Sequence, residues 1–334
     1  MIFDRAHWEK YCRGFVVYDC AMMDADRTFY VLVEDTGSPH RDPLPRTRFL
    51  FVRANRPMDQ KRFIAGLSST FGFTEIAYNA AAVEFVAVDT HQKVFSYDST
   101  RAGLEPDIPG AITGTTLLSH VTKVVRVGNS IYTVGWPRRI CLRKGSGSWA
   151  LVDNGMPLPK RLYSTDEQDV VNAVSGYTLR DLAGFSETDM YAVGDDGEIW
   201  QWDGSRWTRC AFPTNERLSA VACGDGTVYV TTQRGSVWAG RGNAWKLLVD
   251  EERSVAFRDC AWFANKLWCG SDYGVWALEG GELSRKALPD EVFLVSGRLE
   301  VSPDEKHLLT AGAAGAAMFD GSSWNILWSG DELG

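Results

Sequence analysis

The sequence predicts an all-β fold, a single β-propeller of seven blades with four antiparallel strands in each. Three observations predict it: a self-similar unit returning at roughly 40-residue intervals, period-2 alternation inside each unit, and Gly or Asp turn signals between the apolar runs. The 334 residues, 45% of them hydrophobic, are enough to bury a large core.

The unit is clearest in MYAVGDDGEIWQWDGSRW, residues 190–207. VYVTTQRGSVWAGRGNAW (228–245) keeps it in register: Gly197 to Gly235, Trp200 to Trp238 and Trp207 to Trp245 are each 38 positions apart, and so is Trp238 to Trp276. The frame returns in IYTVGWPRRICLRKGSGSW (131–149), LWCGSDYGVWALEGGEL (267–283) and LLTAGAAGAAMFDGSSW (308–324). Weaker copies are EFVAVDTHQKVFSYD (84–98) and TFYVLVED (28–35) with RFLFVRAN (48–55). Several short strands per unit at this period indicate propeller blades and not a helical solenoid.

Taken in order, each unit reads as strand A (TLRDLAGF), strand B (DMYAVG), strand C (EIWQWD) and an outer strand D (RWTRC). In strand B, Met190, Ala192 and Gly194 face one way while Tyr191 and Val193 face the other. Asp195-Asp196-Gly197 and Asp203-Gly204 supply residues that tolerate positive φ at the hairpin turns. A four-stranded sheet cannot bury both faces alone, so the strand D tryptophan is expected on the neighbouring blade. Blades are placed at 14–60, 74–109, 119–153, 176–213, 217–249, 254–289 and 292–328, within one domain over 1–334. HWEKYC (7–12) resembles RWTRC and could pair with the final blade, which leaves six or eight blades open.

Forty-three acids against 35 bases leave a net charge of -8, which disfavours nucleic acid and anionic membranes as partners. No run approaches the roughly 20 apolar residues of a spanning helix. The seven cysteines contain no C-x-x-C pair and sit in apolar runs, as buried thiols in a reducing compartment do. A cytoplasmic protein is the expectation.

The YAVG-x-x-G-x-I-W-x-W-D-G-x-x-W frame resembles bacterial β-propeller repeats. Its D-G-x-x-W close is similar to a shortened Asp-box turn (S-x-D-x-G-x-x-W) of sialidase-like propellers. Bacterial propellers of this look include scaffold proteins and immunity proteins that neutralise a toxin by covering it, so the resemblance implies a protein partner, a toxin among the candidates.

Function is sought where the repeat is interrupted. EDTGSPHRDPLPRTR (34–48) is a B-to-C connection and DNGMPLPKRLYSTDEQDVVNAVSG (153–176) a D-to-A connection, and in a propeller these emerge on one face. The candidate partner-binding residues are Arg41, Arg46 and Arg48 in the first, Lys160, Arg161 and Tyr163 in the second, and Trp136, Arg138 and Arg139 of the third unit. Basic clusters on an acidic chain suit an acidic partner, and aromatics beside arginine suit interface anchors. Trp136 also reads as an inter-blade tryptophan, and that reading is the stronger one.

Enzyme signatures mostly fail. A sialidase-like site needs an arginine triad, a Tyr nucleophile with a Glu helper and an Asp acid, and no such set falls on matching strand positions. Asp195, Asp196, Glu198 and Asp203 read as turn residues. The five histidines are scattered, RKGSGS (143–148) reads as a C-to-D turn and not a phosphate loop, and no G-x-S-x-G occurs. The expectation is therefore a non-enzymatic protein-binding propeller with no cofactor and no metal. A hydrolase, lyase or lactonase with acids converging in the central channel, and glycan binding by exposed tryptophans, stay open as alternatives.

Overall fold

The alternating runs pair as hairpins. The computed structural model describes every residue except 38–44, 175, 251–254 and 286–287. Seven four-stranded antiparallel sheets follow one another along the chain, each with its strands paired in chain order, and this is the architecture of a seven-bladed β-propeller. The fourth blade shows why. Leu179–Ser186, Asp189–Gly194, Ile199–Trp202 and Trp207–Cys210 are its strands, with Tyr191 opposite Gln201 and Trp202 opposite Trp207. Asp196 takes φ +57 at the B-to-C turn. At the C-to-D turn the Asp203 carboxylate accepts from the Ser205 and Arg206 N–H groups, and Asp98 and Asp320 do the same at their own turns.

The chain divides into two compact units, Asn79–Cys260 and Met1–Tyr78 with Ala261–Gly334. In the first, Trp207 of strand D is fully buried in a cluster with Val125, Tyr132 and Val134 of the preceding blade, and its Nε1 donates to the Val152 carbonyl at 2.9 Å. The Asp181 carboxylate of strand A accepts from the Val221 N–H of the next strand A at 2.9 Å. In the other unit Asp19 repeats that bond to the Ile76 N–H at 2.7 Å.

In that unit the first strand, Phe15–Asp24, packs on Arg298–Val301 and Leu308–Gly312, so the first and seventh blades are neighbours. The Ile2 N–H donates to the Leu327 carbonyl at 2.6 Å. Residues 7–12 do not pair with the last blade as a strand. Arg5–Tyr11 is a helix, because Asp4 caps it by accepting from the His7 N–H at 2.8 Å. The outer strand of the first blade is Phe63–Ser68, beyond the boundary expected at 60. Turns at 54–62, with Pro57 and a positive φ at Lys61, separate it from Thr47–Arg53.

Candidate partner-binding site

The described residues of the insertion at 153–177, within Asn79–Cys260, form a 3-10 turn and a helix and not a bare loop. Pro159 precedes a 3-10 turn, Lys160–Tyr163, and STDEQDVVNAV forms the helix Glu167–Val174. The Asp166 carboxylate accepts from the Gln168 N–H at 2.8 Å, and Glu167 and Asp169 place negative charge in the first turn. Its underside, Leu162 and Ala173, packs with Ile112 and Trp136.

Two residues staple this insertion to the sheet. Trp136 is buried, its ring stacks on His120 at 5.7 Å, and its Nε1 donates to the Ala173 carbonyl at 2.9 Å. Burial beside that ring lowers the His120 pKa. Arg138 follows at φ +50, and its backbone N–H donates to the Tyr177 carbonyl at 2.9 Å. Its Nη1 donates to the Pro157 carbonyl at 2.8 Å, at the other end of the insertion. Its Nε donates to Glu198 Oε2 at 2.8 Å and its Nη2 to Glu198 Oε1, while the guanidinium lies 4.6 Å over the Tyr177 ring. Trp200 Nε1 donates to the same carboxylate at 3.2 Å.

This burial corrects two of the candidate residues. Trp136 and Arg138 are committed inside the molecule and present nothing to a partner. Arg139 is half-buried and donates to the Pro109 carbonyl at 2.9 Å. Lys160, Arg161 and Tyr163 are exposed on the insertion, with Arg161 3.8 Å from Asp169 and Tyr163 49% exposed. In the other unit, Arg46 pairs with Glu34 at 3.0 Å. Arg48 lies 3.9 Å over the Phe15 ring and donates to the Tyr11 carbonyl, and burial lowers its pKa. Arg41 lies outside the described residues. Of the described candidate cations, Arg46, Arg138 and Arg161 have a carboxylate on their own chain, while Arg48 and Arg139 donate to backbone carbonyls. Missed in the sequence were Val171 and Val174, 50% and 45% exposed on the helix. The period-3 and period-4 spacing of apolar residues in DVVNAV signals that helix.

Of the turn acids, Asp195 accepts from Arg180 at 2.9 and 3.0 Å and from Arg217 at 3.0 Å, and Glu198 holds Arg138, so both have charged partners besides their turn geometry. Inward acids do converge on the strand A residues, but on a lysine. Lys123 Nζ lies 3.1 Å from Asp181 and donates to Asp259, all three little exposed. Burial raises the Asp181 pKa against the pull of Lys123. Among the described residues no group of three or more His, Cys, Asp or Glu is arranged to hold a metal ion. Trp200, Trp202, Trp207, Trp268, Trp276 and Trp328 are buried and offer no exposed ring to a glycan.

No family model matches the chain. The immune protein Tsi7 of Pseudomonas aeruginosa is 30% identical over 220 residues, 66% of this chain and 67% of that one. Among solved structures, YCF48 from Cyanidioschyzon merolae superposes with a TM-score of 0.58 at 12% identity, covering 91% of this chain and 95% of that one. The WD40 β-propeller domain of Doa1 gives 0.55 at 14% identity over 90% of each. At these identities the structural likenesses speak to the fold alone.

Proposed function

The chain belongs to the family of the immune protein Tsi7, and from that premise we propose that it is an immunity protein, which binds a toxin protein and blocks it by covering it, without chemistry of its own. One observation supports the reading most. The insertion at 153–177 is stapled at both ends by buried side chains, yet it turns Tyr163, Val171 and Val174 outward. A soluble chain exposes apolar side chains on a rigid helix at little ordering cost to a partner, which is how preorganised interfaces gain affinity. Lys160 and Arg161 flank that surface as its polar rim. The protein works inside the cell that makes it, where the toxin has to be met.

The test is co-expression with the protein encoded beside this reading frame. Rescue of growth, together with a stoichiometric complex on size exclusion, is the expected result. Val171→Glu with Tyr163→Asp should weaken that complex at least tenfold while the thermal melt stays near wild type. A neighbour that is not toxic, or a toxin still fully active in the presence of this chain, overturns the reading.

A further inference from the structure

In the unit formed by Met1–Tyr78 and Ala261–Gly334, the hairpin between Lys266–Ser271 and Gly274–Glu279 lifts Tyr273 to 75% exposure, the highest of any large apolar side chain among the described residues. Its backbone is fixed on both sides. The Tyr273 N–H donates to Ser271 Oγ at 3.0 Å, and its carbonyl accepts from Arg285 Nη1 at 3.0 Å. The Arg285 guanidinium in turn lies 4.6 Å from the Phe293 ring centre and 5.0 Å from that of Trp276. Gly274 makes room for this stack, since a Cβ there would stand 3.0 Å from Arg285 Nη1 and 3.3 Å from Phe293. Leu294, beside Phe293, is 58% exposed.

Arg46, Arg138 and Arg161 each have a carboxylate on their own chain; Arg285 has none among the described residues. A guanidinium held against two rings and bonded to a carbonyl is already immobilised. It binds a carboxylate with little further loss of side-chain freedom. Tyr and Arg side by side, with an apolar neighbour, are the composition of interface hot spots, and Tyr gives large contact for two torsions. The chain carries a net charge of -8, so a cation without a carboxylate partner at this position selects for an acidic group locally against the overall field.

We propose that Tyr273, Arg285 and Leu294 form a second partner anchor, which docks a protein segment carrying an Asp or Glu beside an apolar side chain. The carboxylate accepts from Arg285, and the apolar side chain covers Tyr273 and Leu294. This rests on the immunity reading for the partner's identity and not for its chemistry.

Two probes keep the claims apart. The first is the toxin encoded beside this reading frame, titrated against wild type, Tyr273→Ala, Arg285→Lys and Arg285→Glu. Kd should rise at least tenfold for Tyr273→Ala and Arg285→Glu and by an intermediate factor for Arg285→Lys, with thermal melts unchanged. Values within twofold of wild type, while the Val171 variant weakens binding, overturn the anchor and leave the immunity reading intact. The second is a set of dodecapeptides bearing Glu-Leu or Asp-Phe pairs and their Gln-Leu and Asn-Phe counterparts, captured by a photo-crosslinker placed at position 273. Capture of the carboxylate set over the amide set supports the anchor even where no toxin binds. Equal capture of both sets overturns it, as does crosslinking to a second copy of this chain.

Discussion

Arg138 and Glu198, 60 residues apart in sequence, meet as a buried two-pronged pair in which Nε and Oε2 are 2.8 Å apart. The pair joins the third blade's B-to-C turn to that of the fourth, and through Pro157 and Tyr177 it fixes where the insertion leaves and re-enters the sheet. Removing one member of a buried pair leaves the other charge uncompensated, at a cost of about 3–5 kcal/mol. Arg138→Met should therefore lower the thermal midpoint and speed amide exchange across 153–177. Adding Glu198→Gln should recover part of the loss, since the orphaned charge goes with it. Unchanged exchange in Glu167–Val174 on Arg138→Met would mean the staple is not what holds the helix.

How far the sequence carried these findings follows from what each kind of signal encodes. Strand order, hairpin turns and the inter-blade placement of Trp207 were legible, because a period-2 pattern and a turn residue act locally and repeat. The helix at 167–174 is written in the sequence too, in an N-terminal Ser-Thr-Asp-Glu followed by spaced valines. Arg138 was not legible. One arginine in a turn reads as solvated charge unless its carboxylate is known, and Glu198 lies in another blade. The repeated inward aspartates of YDCA, RDLA and RDCA, Asp19, Asp181 and Asp259, could have been read by aligning strand A, yet nothing in the alignment says that Lys123 neutralises two of them.

That lysine yields a second prediction. Lys123→Met removes the cation that lies between the buried carboxylates of Asp181 and Asp259, a loss of several kcal/mol at neutral pH. Asp181 already has a raised pKa, from burial first and from Asp259 as a lesser cause. For a carboxyl with a raised folded-state pKa, the stabilising difference is fully present below the unfolded value of 3.8 and is lost as pH rises through the folded one. The variant's deficit against wild type should thus be widest near pH 8 and narrow steadily toward pH 4. Chemical denaturation at four pH values measures it, and a deficit that does not vary with pH would show that the aspartates do not carry the charge assigned to them.

Glu105 runs the other way. Burial works against its ionisation, but Arg143, the Ser96 hydroxyl at 2.5 Å and the Gly147 N–H at 2.7 Å outweigh it and hold the pKa at about 2, below the ordinary 4.5. Arg143 is fully buried between this carboxylate and Glu84, reaching each through two nitrogens at 2.7–3.0 Å. A lowered carboxyl pKa contributes stability that is present above the unfolded value and disappears as pH falls toward the folded one, so the contribution is lost between pH 4.5 and about 2. Glu105→Gln keeps the shape and most of the hydrogen bonds but cannot titrate. It should be less stable than wild type at pH 7, because Arg143 then has one carboxylate where it had two. Its stability should also fall less steeply on acidification over that window, so that the two curves converge near pH 2. Parallel curves from pH 5 to pH 2 would mean that acid sensitivity resides in other carboxylates, and that the Arg143 cluster is held together by packing and not by charge.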